Sequence, residues 1–408
     1  MRLACLAILG ITVFAGCDAI SQETPTDPAT ITLSSEAEAA VAQSNDFGVR
    51  LFDLTAADRD ENLMLSPLSA SVALTMLLNG SDGDTYTQIR DMLGYSPDQD
   101  LDAINAGYQS LRSQLLEADP QVQLALANAV FYRDTFGPSI QPTFLETMRT
   151  SFDARIDGLD FADQTASLAE INGWASDNTN GKIPEVLDQL DPALVMLLMN
   201  ALYFKGDWTT QFDEDDTQDL PFTLSDGSTP QVPTMTGHIE ARYLERDGYT
   251  AVELPYGRRN FSMIVAVPDE SLGDFVDELA TGGWTDLTDG LGTDDTWRTV
   301  IVSLPRFTFE NDENLNEELQ ALGMTNAFTG RADLTRIANH LRVDFVKQNT
   351  FVEVNEEGTE AAAVTTIGIE LTSAPSHPIF RADRPFVFAI RERTTNTLLF
   401  IGQVTDPR

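Results

Sequence analysis

The sequence predicts a single domain of the α+β class. Segments with the apolar spacing of packed helices come first and then alternate with many short apolar segments typical of strands. No internal repeat divides the chain, and 42% of its 408 residues are hydrophobic. This length and composition suffice for one large core or two ordinary ones, and they exclude a disordered protein. The interleaving of helices and strands favours one domain.

The charge balance is strongly acidic. The formal net charge is −39, from 64 acidic and 25 basic residues. Because a polyanion would repel such a protein, we expect no nucleic-acid partner. The acidic residues are spread along the chain, which favours a solvated, aggregation-resistant surface suited to salt over a localised acidic functional patch. The two cysteines, Cys5 and Cys17, leave the folded domain without a disulfide or a cysteine zinc site, and we expect no metal or other cofactor.

The N-terminus predicts export. Arg2 precedes an apolar run, residues 3–14, that is too short for a stable transmembrane helix but has the form of a secretory signal. The following Ala-Gly-Cys resembles a bacterial lipoprotein box, which implies cleavage before Cys17 and lipidation of its thiol; an ordinary signal peptide cut nearby is the alternative. We assign residues 1–16 to a signal peptide and residues 17–33 to a flexible tether, so that the protein would meet a membrane through its lipid, in the cell envelope or outside the cell.

Helix and strand signals follow in order. A helix is predicted to begin near Ser34 and Ser35. A short strand should run into Ser66, which can cap the next helix while Pro67 takes its first position.

Longer apolar runs predict the strands. Residues 124–131 read as a buried strand, and residues 194–208, with no Pro or Gly before Gly206, read as a central strand covered on both faces. A smaller antiparallel region is predicted from strands at residues 232–235, 252–256 and 261–268. A later strand is predicted at residues 302–307. Residues 385–390 and 399–402 should form a closing hairpin.

The most informative stretch is residues 352–381. It begins as a strand and then turns at Gly358, after which small and β-branched residues follow. From Thr359 onward, alternate residues form a face that is first small, then apolar, and uncharged throughout, while Glu360 and Glu370 fall on the other face. A segment placed like an exposed loop but patterned like a half-buried strand predicts a loop that can enter a sheet. A low-complexity surface loop is the alternative.

Eight consecutive residues of this stretch resemble the hinge of the reactive-centre loop of inhibitory serpins. They are Glu356, Glu357, Gly358, Thr359, Glu360, Ala361, Ala362 and Ala363. The block from Asn200 to Trp208 is the next most specific match, and the resemblance runs from about Ser34 to Arg408. It implies the serpin fold over residues 34–408: a large central mixed β-sheet, further sheets, eight or nine helices, and an exposed reactive-centre loop at about residues 356–380.

The resemblance also implies which residues govern opening of the central sheet: Ser66, Ser69, Asn200, Trp208 and Gln348. Trp208 is expected beside the place where the loop starts to insert. Gln348 stands where serpins usually have a histidine paired with the asparagine. A glutamine can still bond Asn200 and the two serines, but it cannot titrate near neutral pH, so we expect a differently tuned trigger.

The reactive bond follows from the family's spacing of fourteen positions after the hinge glycine. This places it at Thr372–Ser373, with Leu371 and Ala374 as alternatives. Threonine suits a protease with a small apolar primary pocket, of elastase or subtilisin type, whereas leucine would suit a chymotrypsin-like pocket. No lysine or arginine lies between the hinge glycine and Arg381, which argues against trypsin-like targets.

These observations together predict a suicide-substrate protease inhibitor rather than an enzyme. In serpins the protease forms an acyl-enzyme, and the cut loop then enters the sheet and distorts the protease. The inward residues Thr359, Ala361, Ala363 and Thr365 are small and uncharged, as insertion requires. We expect a monomer that forms a covalent complex with a serine endopeptidase, with cysteine endopeptidases as a second target class.

Three other functions are weighed against inhibition. A non-inhibitory serpin acting as carrier or chaperone is the alternative within the family, although such hinges tend to hold bulky, charged or proline residues. A lipid-anchored ligand-binding lipoprotein would explain the N-terminus but not the hinge. A serine hydrolase is disfavoured, because the chain has three histidines and no Gly-x-Ser-x-Gly elbow.

Overall fold

The computed structural model of the protein describes residues 27–292, 296–359 and 377–408. Within these ranges no helix is both long enough and apolar enough to cross a membrane. The same ranges contain nine α-helices: α1 (Ser35–Ala56), α2 (Pro67–Gly80), α3 (Gly83–Met92), α4 (Leu101–Glu117), α5 (Pro142–Phe152), α6 (Gln164–Asn178), α7 (Leu272–Glu278), α8 (Trp284–Leu291) and α9 (Asn316–Ala321).

Fifteen strands lie in the described part of the chain, and most of them fall between or after the helices. They are β1 (Leu63–Leu65), β2 (Val122–Arg133), β3 (Ala154–Leu159), β4 (Met196–Asp207), β5 (Gln218–Pro221), β6 (Gln231–Arg246), β7 (Tyr249–Pro255), β8 (Phe261–Pro268), β9 (Arg298–Pro305), β10 (Phe307–Asn314), β11 (Lys347–Val354), β12 (Gly358–Thr359), β13 (Ile379–Arg381), β14 (Phe386–Glu392) and β15 (Thr397–Val404). The nine helices agree with the eight or nine that the resemblance implied.

The first two helices begin where the sequence predicts. The Ser34 side chain accepts a hydrogen bond from the Ala37 N–H and caps α1. Ser66 caps α2 through the Ser69 N–H, and Pro67 occupies the first helical position, where no N–H partner is required. Local side-chain chemistry therefore fixes both helix starts.

The central sheet has six strands in the order β10-β11-β12-β4-β2-β3. It is mixed, because β2 runs parallel to β3 while the other neighbours are antiparallel. The two-residue strand β12 lies between β11 and β4. The start of the hinge thus already occupies one end of the space between these two long strands.

The second sheet has nine strands. Eight of them follow the order β1-β15-β14-β8-β7-β6-β9-β13, and the ninth, β5, pairs with β6. It contains the predicted hairpin, β14 and β15. It also contains β6, β7 and β8, which we expected in a smaller antiparallel region. The expected size of that region is wrong, because the sheet has nine strands and the central sheet has six. The periodicity of single strands carries no information on how many others join the same sheet. At one end of the path, β13 pairs in parallel with β9.

Strand β4 is covered on both faces, as predicted. Leu197 and Ala201 pack in a small core with Trp174 of α6. On the opposite face Leu202 and Phe204 join the main core. Helix α6 therefore lies against one side of the central sheet, and the main core fills the other.

The tether predicted through Leu33 needs correction in its final part, residues 27–33. The Ala29 N–H donates to Asn260 Oδ1 at 2.6 Å, and Asn260 Nδ2 donates to the Ala29 carbonyl at 2.9 Å. Arg258 donates to the Asp27 carbonyl, while Ile31 and Leu33 pack against the core. Polar composition suggested flexibility, but backbone groups satisfied by a fully buried asparagine hold this segment in place.

Candidate functional site

The hinge begins in a tight reversal after β11. The Asn355 side chain accepts hydrogen bonds from the Glu357 and Gly358 N–H groups, and the Asn355 N–H donates to the Gly358 carbonyl at 3.0 Å. Asparagine favours such turns because its short amide can replace backbone partners. The chain therefore folds back, and Thr359 pairs with Val354 on one side and Gly206 on the other.

Glu356 is fixed by a buried ion pair at this reversal. Its side chain is 3% exposed and accepts from Arg306 Nε at 2.6 Å and from the Thr217 hydroxyl. Burying a carboxylate is costly unless its oxygens are paired, so these two partners are what allow Glu356 to sit inside the protein. The pair ties the hinge to the segments that follow β9 and precede β5.

Trp208 lies directly against the first hinge residues. Its indole N–H donates to the Asn355 carbonyl at 2.9 Å, and its backbone N–H donates to the Glu357 carbonyl at 2.8 Å. The indole ring stacks on Tyr256 with a centroid distance of 4.4 Å. The Tyr256 hydroxyl lies 2.6 Å from the Thr359 hydroxyl, and burial raises the pKa of this phenol. The aromatic pair thus contacts the hinge through three hydrogen bonds.

Beyond β12, the space between β4 and β11 is a cavity. Its volume is about 1030 Å³, and its lining includes Met196–Leu202 of β4 and Lys347–Thr350 of β11. Ser66, Ser69, Asn200 and Gln348 all line this cavity. The structure therefore brings together four of the five residues predicted to govern sheet opening. The fifth, Trp208, directly follows β4 at the end that contacts the hinge.

The hydrogen bonds of Gln348 differ from the expectation. Gln348 Oε1 accepts from the Ser66 N–H at 2.8 Å, and Nε2 donates to the Ser66 carbonyl at 3.0 Å. Gln348 has no bond to Asn200 or to Ser69. Asn200 instead donates to Asn128 Oδ1 at 2.7 Å.

The reason for this correction is the separation of two strands. Gln348 lies on β11 and Asn200 on β4, on opposite sides of the cavity. Asn200 Oδ1 is buried and has no hydrogen-bond partner in the described part of the chain. Because Asn200 lines the cavity, this acceptor is available to a donor group that enters it.

Several predicted residues lie outside the described ranges. They are Cys17, Glu360, Ala361, Ala362, Ala363, Leu371, Thr372, Ser373 and Ala374. Sequence reasoning also missed Thr217, Arg306 and Tyr256, which hold the hinge start. The sequence gives no signal for these three, because they come from distant segments and contact the hinge only in the folded chain. Asn355 had such a signal, since asparagine before an acidic pair and a glycine favours a turn.

The described residues include no cluster of three or more histidine, cysteine or carboxylate side chains able to hold a metal ion. The site consists of hydrogen bonds, an aromatic stack and an open space between two strands. Such an arrangement has room for another strand.

Comparison with known proteins agrees with this geometry. The model of the family described as "Serpin (serine protease inhibitor)" matches residues 42–407. Iripin-3 of Ixodes ricinus is 35% identical over 371 residues, covering 88% of this chain and 93% of the relative. A leukocyte elastase inhibitor of Xenopus laevis is 34% identical over 361 residues, covering 85% and 93%.

Solved structures show the same fold. Tengpin, a thermophilic serpin in its native state, superposes with a TM-score of 0.81 at 28% identity, covering 93% of this chain and 97% of tengpin. A complex of thyroxine-binding globulin with thyroxine has a TM-score of 0.78 at 26% identity, covering 91% and 99%. Because the family model matches residues 42–407 and the fold is shared, this chain belongs to the serpin family.

Proposed function

We propose that this protein is an irreversible suicide-substrate inhibitor of serine endopeptidases, with cysteine endopeptidases as a second target class. The protease would attack the bond Thr372–Ser373, form an acyl-enzyme, and be trapped when the cut loop enters the central sheet. The observation that carries this proposal is the cavity between β4 and β11, which lies further along the same two strands that β12 joins at one end. A strand-sized space beside a hinge already in register supports insertion.

The register of β12 indicates what the inserted strand would meet. Thr359 pairs with Gly206 on β4 and Val354 on β11, both antiparallel. Six residues further along the same ladder, Thr365 would lie between Asn200 and Gln348. Its hydroxyl would be positioned to donate to the unsatisfied Asn200 Oδ1. Insertion would thereby give this acceptor a partner within the protein.

The same register keeps the inward face compatible with burial. The β11 residues Gln348, Thr350, Val352 and Val354 are buried on one face, and Thr359 shares that face. In an inserted strand, alternation by two would turn Ala361, Ala363 and Thr365 inward as well. These side chains are small and uncharged, so their burial costs little, whereas a charge there would need a partner.

The proposal extends to target and location. Threonine at the reactive position, with the relationship to an elastase inhibitor, supports an elastase- or subtilisin-like target. The N-terminal pattern supports a bacterial, exported protein lipidated at Cys17 and held at the cell envelope or released outside the cell. We further propose that the inhibitor acts as a monomer and meets the membrane only through its lipid.

The test is to mix the soluble domain, lacking residues 1–17, with an elastase and with a subtilisin. A covalent complex that survives denaturing gels, with release of a peptide beginning at Ser373, is the expected result. Cleavage of the loop without a stable complex with either protease would contradict the proposed target class.

A hinge variant tests the mechanism itself. Thr359 is 4% exposed, so Thr359→Arg should block insertion and convert the inhibitor into a substrate that is cut without trapping the protease. Glu360→Arg is the matched control, because in an inserted strand residue 360 would face outward by alternation, and the variant should still form a complex. Equal trapping by the wild type and Thr359→Arg would exclude insertion through this hinge.

A carrier function is the second candidate, and the large cavity together with the similarity to a thyroxine-binding globulin complex favours it. A carrier would keep its activity after Thr359→Arg and would form no covalent complex with any protease. The same gels therefore separate the two functions.

A further inference from the structure

Two of the three histidines in the chain meet near one end of the second sheet. His238 lies on β6, and His377 precedes β13 by two residues. Their ring centroids are 5.9 Å apart, and the ring planes are nearly perpendicular, at 87°. We call His238 and His377 the histidine pair. The two residues are far apart in the sequence, so the pair exists only in the folded chain.

Backbone pairing holds both histidines on one face of the sheet. His238 on β6 lies opposite Ile301 on β9, and Ile301 lies opposite Ile379 on β13. The Ile301 N–H donates to the Pro378 carbonyl at 2.9 Å, which extends this pairing to the residue next to His377. Residues two apart in an extended chain share a face, so His377 lies on the face of Ile379 and His238. The sheet therefore constrains where both imidazoles lie.

The histidine pair has an imidazole nitrogen that is not engaged. His377 is half-buried, and its Nε2 is buried without a hydrogen-bond partner among the residues that the structure describes. A neutral imidazole has one nitrogen with a free lone pair, and such a nitrogen is the commonest metal ligand in proteins. His238 is exposed, so its ring can rotate and an ion can reach it from solvent. The pair thus combines a constrained imidazole with a movable one.

The distance between the rings is close to that of two imidazoles on one metal ion. Zn²⁺ binds imidazole nitrogens at about 2.0–2.1 Å in tetrahedral geometry, which places two bound rings with centroids roughly 5 Å apart. The observed distance is 5.9 Å. A change of about 1 Å is within the reach of a side-chain rotation of the exposed His238.

The charges around the histidine pair permit a cation. Glu240 follows His238 by two residues on β6 and shares its face, where it forms an ion pair with Arg259 at 2.6 Å. Arg381 lies four residues beyond His377, at the far end of β13. These local charges offset one another, whereas the formal net charge of −39 draws cations toward the protein as a whole.

We propose that the histidine pair is a reversible binding site for a divalent transition-metal ion such as Zn²⁺ or Cu²⁺. One nitrogen of each imidazole would bind the ion, and water would complete its coordination. Two protein ligands are fewer than the three or four of catalytic and structural zinc sites, so occupancy would follow the metal concentration around the protein. Mg²⁺ and Ca²⁺ prefer oxygen ligands and would not compete. The inference goes beyond the proposed inhibitory function and does not depend on it.

A bound ion would link β13 to β6, two strands away in the sheet. Strand β13 has three residues and pairs with β9 at the end of the strand order. An ion bound by both histidines would add a connection between His377, at the start of this short strand, and His238 on β6. Because the unfolded chain does not bring the two imidazoles together, metal binding would stabilise the folded state.

The first experiment observes the histidines directly by NMR. The protein is prepared without an added histidine tag, with isotope-labelled histidine, and is titrated with zinc sulfate. We expect the ring signals of His238 and His377 to shift together with one ion per chain. His340, which is exposed and precedes β11, is the internal control and should not shift. Magnesium sulfate at the same concentration should shift none of the three.

Matched variants measure the contribution of each imidazole. His238→Asn, His377→Asn and His340→Asn are compared with the wild type by calorimetric titration with zinc sulfate. The first two should bind Zn²⁺ at least about tenfold more weakly, since loss of an outer partner of a metal ligand alone costs that much. His340→Asn should bind like the wild type. Asparagine also tolerates the positive φ of 63° at residue 340, so this control should fold.

Urea denaturation supplies a readout that is independent of calorimetry. Zinc should raise the midpoint of the wild type and of His340→Asn, and it should leave the midpoints of His238→Asn and His377→Asn unchanged. Unchanged midpoints without zinc would show that these variants fold normally.

Four results would overturn the inference. They are no zinc-dependent shift of either histidine of the pair, a shift of only one of them, an equal response of all three histidines, and wild-type zinc affinity in His238→Asn or His377→Asn. Each of these results would leave the proposed inhibition untouched, because the covalent complex with a protease is measured without added metal.

Discussion

At the scale of single residues, Glu356 carries the strongest local constraint on the hinge. Its carboxylate is buried, and its partners Arg306 and Thr217 belong to distant parts of the chain. Arg306 is 42% exposed, so solvent weakens its attraction to Glu356, whose own side chain is shielded from solvent. The ion pair with Arg306 therefore stabilises the chain reversal at Asn355–Gly358.

Replacing this carboxylate with a cation should destabilise the native state. We expect Glu356→Lys to lower the free energy of unfolding by about 2 kcal/mol, because it buries a charge opposite Arg306. Glu356→Gln, which keeps an acceptor oxygen, should lose about half as much. Urea denaturation followed by tryptophan fluorescence measures both. If the lysine variant is as stable as the wild type, the ion pair does not hold the hinge.

A second residue-scale effect is a pH dependence set by Asp53. Partial burial, together with a hydrogen bond and repulsion from Asp277, raises the pKa of Asp53 to about 6. The folded state thus binds this proton more tightly than the unfolded chain, whose aspartate pKa is about 4. The stabilisation is fully present below about pH 4 and is lost as the pH rises through about 6.

Asp53→Asn should remove this dependence. Relative to the wild type, the variant should gain about 1 kcal/mol of stability at pH 7.5 and almost nothing at pH 4, after allowance for solvent screening. Asp277→Asn should give a similar gain, and the double variant should gain less than the sum, because both changes relieve one repulsion. Fully additive gains in urea denaturation would show that the two carboxyl groups do not interact.

At the scale of elements, β12 is the smallest strand in the described part of the chain, and the proposed insertion depends on it. Gly358 approaches β4 so closely that an added Cβ would lie 2.1 Å from the Gly206 carbonyl oxygen and 2.7 Å from the Asp207 Cα. Both atoms belong to the backbone, so the strands would have to separate to make room. The glycine is required for contact between the hinge and β4.

Gly358→Ala should therefore expel β12 from the central sheet. We expect a loss of roughly 2 kcal/mol in the free energy of unfolding and a changed emission of Trp208, whose backbone and ring bond the hinge. Gly173→Ala on α6 is the control, because nothing lies within 4 Å of its added Cβ and alanine favours a helix. Wild-type stability of Gly358→Ala would refute the close approach.

At the scale of the whole molecule, the net charge of −39 acts on every element at once. Like charges repel more strongly in the compact state than in the expanded chain, so the charge lowers the stability of the fold while keeping it soluble. Screening shortens the range of this repulsion from about 10 Å at 0.1 M salt to about 3 Å at 1 M.

Raising sodium chloride from 0.1 M to 1 M at pH 7.5 should increase the free energy of unfolding by about 1 kcal/mol. The same titration near pH 4, close to the isoelectric point of about 4.1, should show little change, because the net charge is nearly zero there. Urea midpoints at both pH values provide the measurement. An equal salt effect at both would point to a cause other than charge.

The sequence by itself determined what depends on neighbours along the chain. The caps Ser34 and Ser66 and the two-sided burial of β4 are local, and each predicted its element correctly. The composition of the segment before Leu33 was misleading, because its order comes from Asn260, far away in the chain.

Only the tertiary structure decided which distant groups meet. In the folded chain Glu356 forms an ion pair with Arg306, and Tyr256 stacks on Trp208. Gln348 forms its hydrogen bonds with Ser66 instead of with Asn200. These contacts depend on strand order and on the cavity between β4 and β11, and neither is encoded by spacing within one segment. Hydrogen bonds act over about 3 Å, so a residue's partner is settled only when the whole sheet has formed.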